Sequence, residues 1–213
     1  DFLEKYIRIS TPEIYGNTNK IIRENSELDP STPYAVSQAA IDMSLKTFYN
    51  TYQFPVIFTR FANFYGPFQQ VYRIIPKTIL TTHLKLKLPL HGGGNSKRSF
   101  IFHKDVSSGI IQSIKYGKLG DSYHFSTKEL ISISDLVKKI CIKMNVNFDD
   151  LIENTSDRIG KDKTYSIDFA KANKEINWKP KFNLDQGIDI TIKWVEKNLS
   201  QLKKIPLNYI HKK

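Results

Sequence analysis

Short runs of apolar and β-branched residues alternate along this chain with longer segments in which apolar residues recur every three or four positions. The short runs are typical of buried strands, and they predict strands at 6–10, 55–60 and 99–102. The longer segments are typical of amphipathic helices, and they predict helices at 37–52, 134–145 and 184–199. Because strands alternate with helices, the sequence predicts an α/β fold with a largely parallel sheet.

The single cysteine, Cys141, lies on the apolar stripe of the helix predicted at 134–145, for which Ser134 is the predicted N-cap. This position predicts a core residue rather than a nucleophile. One cysteine excludes an internal disulfide and a cysteine-based zinc site, and it is typical of a reducing compartment. We therefore expect a cytoplasmic protein without a bound metal.

The overall composition is that of a globular protein, with 40% hydrophobic and 25% charged residues among 213. No apolar run approaches the roughly 20 residues that a membrane span requires, so we expect no membrane association. The formal net charge is +11, but the lysines and arginines are scattered and accompany no nucleic-acid-binding motif. We expect no nucleic acid partner; steeply salt-dependent DNA binding would be needed to support that alternative.

Three segments place reactive side chains at the ends of predicted strands or at the start of a helix. Thr11 and Glu13 follow the strand at 6–10, and Asn63 follows the strand at 55–60. Tyr34 stands at the start of a helix. Since α/β folds bind ligands beyond the carboxyl ends of their strands, these side chains are candidates for a ligand site.

An ordered series of motifs extends this pattern and covers residues from about 6 to 199. The motifs lie at 10–16, 30–34, 63–67, 73–76, 88–92, 98–101, 105–106, 157–168 and 177–180. In this order they resemble the extended short-chain dehydrogenase/reductases that modify nucleotide sugars, and most of all the dTDP-glucose 4,6-dehydratase group. The resemblance implies the carboxyl-terminal part of a Rossmann-type doubly wound sheet together with a small α/β substrate-binding lobe.

The resemblance also implies an NAD-dependent lyase that forms a 4-keto-6-deoxy sugar. Tyr34 would remove the proton of the C4 hydroxyl, Glu13 would remove the C5 proton that the new ketone acidifies, and Thr11 would hydrogen-bond the C4 oxygen. Tyr34 and Gln38 would contact NAD. The nucleotide-sugar substrate, with a pyrimidine base, would be held by Asn63, Arg73, Ile74, Pro89, Arg98 and Arg158, where the planar arginine fork suits a diphosphate.

Two positions depart from the family pattern. Gln38 stands where the family has a lysine, four residues after the tyrosine. The unperturbed pKa of a phenol is near 10, and a nearby ammonium group is what makes the phenol a usable base at neutral pH. Pro12 stands where the dTDP-glucose enzymes have an aspartic acid. A lysine introduced at Gln38 is expected to raise the rate of a dehydratase, whereas a silent relative should not respond.

Three parts are expected along the chain. Residues 1–67 would be the remainder of an NAD-binding Rossmann domain whose amino-terminal half is missing, because the glycine-rich strand-turn-helix of that domain does not occur here. Residues 68–200 would form mainly the nucleotide-sugar-binding lobe, with some strands and helices returning to the Rossmann sheet, and 201–213 a tail. The resemblance implies a homodimer that pairs through the helix bearing Tyr34.

Other functions stay open within the same fold. A C4-epimerase would leave the mass of the sugar nucleotide unchanged, and a decarboxylase of a nucleotide uronic acid would release carbon dioxide. A catalytically impaired relative would bind a nucleotide sugar without converting it.

Overall fold

A computed structural model of the protein describes residues 2–18, 20–156 and 166–210. The strands are β1 (Tyr6–Ser10), β2 (Ile21–Ile22), β3 (Val56–Phe61), β4 (Asn63–Tyr65), β5 (Leu88–His91), β6 (Lys97–Phe102), β7 (Ser122–Phe125), β8 (Leu130–Ser132), β9 (Ile152–Thr155) and β10 (Ser166–Ile167). The helices are α1 (Pro33–Tyr52), α2 (Ile74–His83), α3 (His103–Tyr116), α4 (Ile133–Lys143), α5 (Phe148–Leu151), α6 (Ala170–Ile176), α7 (Leu184–Lys197) and α8 (Leu199–Leu202). The predicted α/β class is confirmed.

One compact unit comprises residues 2–64, 96–130 and 166–182. Its central sheet has the order β1-β3-β7, and both pairs of neighbours are parallel. The core packs apolar side chains of β3 and β7 against α6 and the segment that follows it, with Phe125 edge-on to Trp178. Because β1, β3 and β7 run in one direction, their carboxyl ends meet at a single edge of the sheet.

A second unit comprises residues 65–95, 131–156 and 183–210. Its parallel pair β5 and β9 shares a core with α4, built on Leu88, Leu90, Val137, Cys141 and Leu151. Cys141 is therefore a core residue, as predicted. No helix in the part of the chain that the structure describes is both long and apolar enough to cross a bilayer.

Two helix starts differ from the sequence prediction. Ser132, not Ser134, caps α4: its backbone is extended, and its hydroxyl accepts the N–H of Asp135. Helix α1 begins at Pro33, four residues before the start that apolar periodicity predicts but in agreement with a helix start at Tyr34, because Thr32 caps it and proline is compatible with the first helical position.

Candidate active site

Three of the candidate site residues lie at the carboxyl edge of the β1-β3-β7 sheet. Thr11 and Glu13 directly follow β1, and Asn63 begins β4 two residues after β3 ends. The register pairs Ser10 with Arg60 at this edge. Parallel pairing therefore brings together two segments that are about 50 residues apart in sequence.

A short 3₁₀ turn, Pro12–Tyr15, holds Glu13 in place. The Thr11 hydroxyl oxygen accepts the backbone N–H of Glu13 at 3.3 Å, while the Ile14 and Tyr15 side chains are buried. The turn ends at Gly16 with φ of 68°, where a Cβ would lie 2.0 Å from the carbonyl oxygen of Asp29. Only glycine fits this backbone, so the half-buried carboxylate of Glu13 stands on a rigid turn.

Tyr34 lies in the first turn of α1. The Thr32 hydroxyl accepts the N–H of Ala35 at 3.1 Å, and the side chain of Tyr34 is 54% exposed. Ala39, one turn further along, packs in the same cluster as Ile14 and Tyr15. The turn that carries Glu13 is thus packed on the helix that carries Tyr34, although the phenol itself remains open to a ligand.

A buried ionic cluster lies along the inner face of α1. Asp42, which is 4% exposed, accepts hydrogen bonds from Arg8 Nε at 3.0 Å, from Arg60 Nη2 at 3.0 Å and from Ser10 Oγ at 2.7 Å. Arg8 also donates from Nη2 to Gln38 Oε1 at 2.7 Å. Gln38 therefore contacts an arginine from β1.

The cluster continues from Arg60 to the third strand of the sheet. Arg60 Nη1 donates to Tyr15 Oη at 2.8 Å, and Tyr15 Oη lies 2.8 Å from His124 Nε2. Since the tyrosine oxygen accepts from arginine, its proton is directed to the histidine. Burial raises the pKa of Tyr15 to about 12. Burial, and secondly the nearby Arg60, hold the pKa of His124 well below its usual range.

Our sequence analysis did not identify this cluster. Two signals in the sequence point to it: Arg8 and Arg60 interrupt otherwise apolar strands, and Asp42 follows Gln38 by four residues on one helix face. A charged residue in a buried strand requires a partner, because an unpaired charge in the interior is strongly unfavourable.

The predicted substrate-binding residues fall into three groups. Asn63 is half-buried, and Arg98 on β6 is buried with its Nη1 donating to the carbonyl of Lys97 at 2.7 Å; both belong to the first unit. The second unit holds an exposed Arg73, which directly precedes α2, the first residue of that helix, Ile74, and a half-buried Pro89 on β5. Arg158 lies outside the described residues.

Neither a proton donor at position 12 nor a cluster of metal ligands is found among the described residues. Pro12 is buried in the 3₁₀ turn and has no proton to donate. Within residues 2–18, 20–156 and 166–210, no group of three or more histidine, cysteine or acidic side chains is arranged to hold a metal ion.

Comparison with known proteins agrees with this architecture. A family model for GDP-mannose 4,6-dehydratases matches residues 3–191. Human dTDP-D-glucose 4,6-dehydratase is 32% identical over 208 residues, which are 95% of this chain and 59% of the human protein.

Two solved structures are also similar. DesIV, a dTDP-glucose 4,6-dehydratase from Streptomyces venezuelae with NAD and TYD bound, superposes with a TM-score of 0.91 at 27% identity, covering 95% of this chain and 63% of that one. The dTDP-glucose 4,6-dehydratase of Bacillus anthracis in complex with NAD gives a TM-score of 0.89 at 34% identity, covering 94% and 64%. The chain spans less than two thirds of each of these relatives. By its family match and its fold, the chain belongs to the GDP-mannose 4,6-dehydratase family.

Proposed function

We propose that the protein containing this chain is an NAD-dependent nucleotide-hexose 4,6-dehydratase. The placement of Glu13 and Tyr34 carries this proposal. Ile14 and Tyr15 pack the Glu13 turn against Ala39 of α1, the helix that begins beside Tyr34. A carboxylate on a turn that packs against the helix bearing an exposed phenol suits a reaction that removes two protons from one sugar.

Each residue has a defined task in this reaction. Tyr34, as its phenolate, takes the proton of the C4 hydroxyl, and Thr11 donates to the C4 oxygen, since its own oxygen already accepts from Glu13 N. Glu13 then removes the C5 proton, which the C4 ketone acidifies, and gives this proton to the C6 hydroxyl, which departs as water. NAD, when bound, would accept a hydride from C4 and return it to C6.

The proposed cofactor and substrate contacts are those that the family resemblance implies. Tyr34 and Gln38 are one helical turn apart on α1, so both can contact one NAD molecule. We assign Asn63, Pro89, Arg98 and Arg158 to substrate binding. Arg73 and Ile74 suit a diphosphate, because the first backbone N–H groups of a helix lack intrahelical partners and attract anions.

We also infer a homodimer and a cytoplasmic location. The outer face of α1 exposes Val36, Ile41, Met43 and Phe48, an apolar surface suited to pairing with a second copy. The free cysteine Cys141 suits a reducing compartment. Light scattering of the full-length gene product, before and after Met43→Lys, tests the first inference, and cell fractionation tests the second.

Product mass is the direct test of the reaction. The full-length gene product is incubated with NAD and a panel of nucleotide hexoses and uronic acids, with pyrimidine nucleotides expected to react fastest. Loss of one water supports the proposal. An unchanged mass with inversion at C4 would instead identify an epimerase, and loss of carbon dioxide a decarboxylase. Substrates that raise the melting temperature but return unchanged would identify a silent binding protein.

Matched variants test the two catalytic residues. Glu13→Gln and Tyr34→Phe are each expected to lower the dehydration rate by about 10²–10⁴-fold, as is typical of lost acid–base catalysts. Glu27→Gln and Tyr52→Phe change the same residue types at exposed positions and should leave the rate unchanged. Normal dehydration by Glu13→Gln would contradict the role of this carboxylate.

A further inference from the structure

Arg8 is an unusual residue for the middle of a five-residue strand, because its side chain is only 13% exposed and all three of its nitrogen atoms donate hydrogen bonds. Nε binds Asp42 Oδ1 at 3.0 Å, Nη1 binds the carbonyl of Ile9 at 3.0 Å, and Nη2 binds Gln38 Oε1 at 2.7 Å. The guanidinium is therefore fixed in position and in the plane of its fork.

This contact determines which way the Gln38 amide faces. A guanidinium only donates hydrogen bonds, so the Gln38 atom facing Arg8 must be the oxygen. The nitrogen Nε2, with its two N–H groups, must then lie on the opposite side of the carboxamide. Tyr34, Gln38 and Asp42 follow one another at four-residue intervals on α1, and Arg8 binds the latter two.

We propose that Arg8 is a positioning residue that holds the Gln38 amide so that its N–H groups donate to a hydroxyl-rich ligand beside Tyr34. This inference rests on the proposed function, in which that ligand is the ribose of NAD. A ribose hydroxyl has one proton to donate. When Tyr34 accepts that proton in a hydrogen bond, the hydroxyl can only accept from Gln38, whereas an amide free to rotate would present its oxygen for part of the time.

The charges around Gln38 make Arg8 and Gln38 an interdependent pair. Arg8 and Arg60 share one carboxylate, that of Asp42, so the three groups already carry a formal charge of +1. An ammonium group at position 38 would add a second excess cation and would face Arg8 donor to donor. Gln38→Lys alone is thus expected to lower the stability of the protein, whatever rate the new ammonium group adds, and replacing Arg8 as well should remove this loss of stability.

An isosteric variant tests the orientation of the amide. Gln38→Glu keeps an oxygen toward Arg8 and adds an ion pair, but it replaces the Nε2 donors with an acceptor. The full-length gene product should keep or raise its melting temperature while its calorimetric Kd for NAD rises about tenfold, the effect of one neutral hydrogen bond. Asn50→Asp, an exposed change of the same kind on α1, should leave the Kd unchanged.

A double-mutant cycle tests the interdependence of the pair. Gln38→Lys should lower the melting temperature by about 2–4 °C through like-charge contact. Arg8→Met should weaken NAD binding about tenfold, whereas Arg23→Met, at an exposed arginine, should not. The double variant should melt above either single variant, because the lysine can then pair with Asp42.

Three results would overturn the proposal: an unchanged Kd for Gln38→Glu, an unchanged Kd for Arg8→Met, or additive melting temperatures in the cycle. The melting temperatures require no ligand. If the wild-type protein neither binds NAD nor dehydrates any nucleotide hexose, the proposed function fails. In that case additive melting temperatures would show that Arg8 and Gln38 are not coupled. Non-additive melting temperatures would show that Arg8 and Gln38 are coupled but hold the amide for a different ligand.

Discussion

The two units of the molecule each contain an ionic cluster, and the clusters differ in burial rather than in contact distance. In the first unit, Asp42 binds Arg8 and Arg60 at 3.0 Å each, inside the protein. The second cluster joins α4 to α7 through surface pairs, Lys139–Asp185 at 2.8 Å and Lys143–Asp189 at 2.7 Å. Its carboxylates are 52% and 51% exposed.

The shorter contacts belong to the exposed cluster, on which we expect the stability of the fold to depend less. Water competes for every exposed charge, and salt screens what attraction is left, so surface pairs contribute little. Removing one member of a buried ion pair leaves the other charge without water or a protein partner to solvate it. The comparison shows that the environment of a charge, not its distance to a partner, determines how strongly the protein depends on it.

The largest effect is expected from Asp42→Asn. The amide would leave two guanidinium groups without a counter-charge and would turn an N–H group toward one of them. We expect the free energy of unfolding to fall by about 3–5 kcal/mol, measured by urea denaturation. Asp189→Asn serves as the matched control in the exposed cluster. Similar losses in the two variants would refute the distinction between the clusters.

An intermediate effect is expected on acidification, because the buried cluster ends at His124. Its pKa is held well below the usual range by burial and by Arg60, so below about pH 6.5 the unfolded chain binds a proton that the folded chain does not. Stability therefore falls as the pH falls. The expected loss is about 1.4 kcal/mol between about pH 7.5 and about pH 5.5.

His124→Asn isolates this contribution. His103, whose pKa burial also lowers, titrates equally in both proteins, so the difference between them reports His124 alone. Glu24 accepts the backbone N–H of His124, and burial raises the pKa of this carboxyl group. Its protonation at lower pH therefore changes the stability in the opposite direction to that of His124. Denaturation at the two pH values should show a smaller loss for the variant, and an equal loss would contradict a neutral buried histidine.

The smallest effect is expected from Asp185→Asn in the exposed cluster. Hydrogen bonding to Lys139 lowers the pKa of Asp185, and hydrogen bonding to Asp189 raises the pKa of Lys143, yet both groups are solvated. The loss should be below about 1 kcal/mol and should disappear in about 1 M salt. A larger, salt-independent loss would show that this cluster behaves like the buried one.

Local sequence signals account for much of the fold. The strand predicted at 6–10 is β1 without change, and the helix predicted at 184–199 is α7, which Asn183 and Gln186 begin with a reciprocal capping box. Each depends on residues close in sequence, which periodicity and capping rules describe well. Apolar periodicity alone began α1 four residues late because it is weak there, whereas the motif that put Tyr34 at a helix start was confirmed, with Thr32 and Pro33 as the start signals.

The sequence by itself determined the α/β class, the strand-end placement of Thr11 and Glu13, and the family to which the chain belongs. Only the tertiary structure decided that Arg8 from β1 meets Gln38 and Asp42 from α1, 30 and 34 residues away. The reason is physical: such a meeting depends on the register of a parallel sheet and on how a helix packs across it. No local rule specifies either, and so the orientation of the Gln38 amide became visible only in three dimensions.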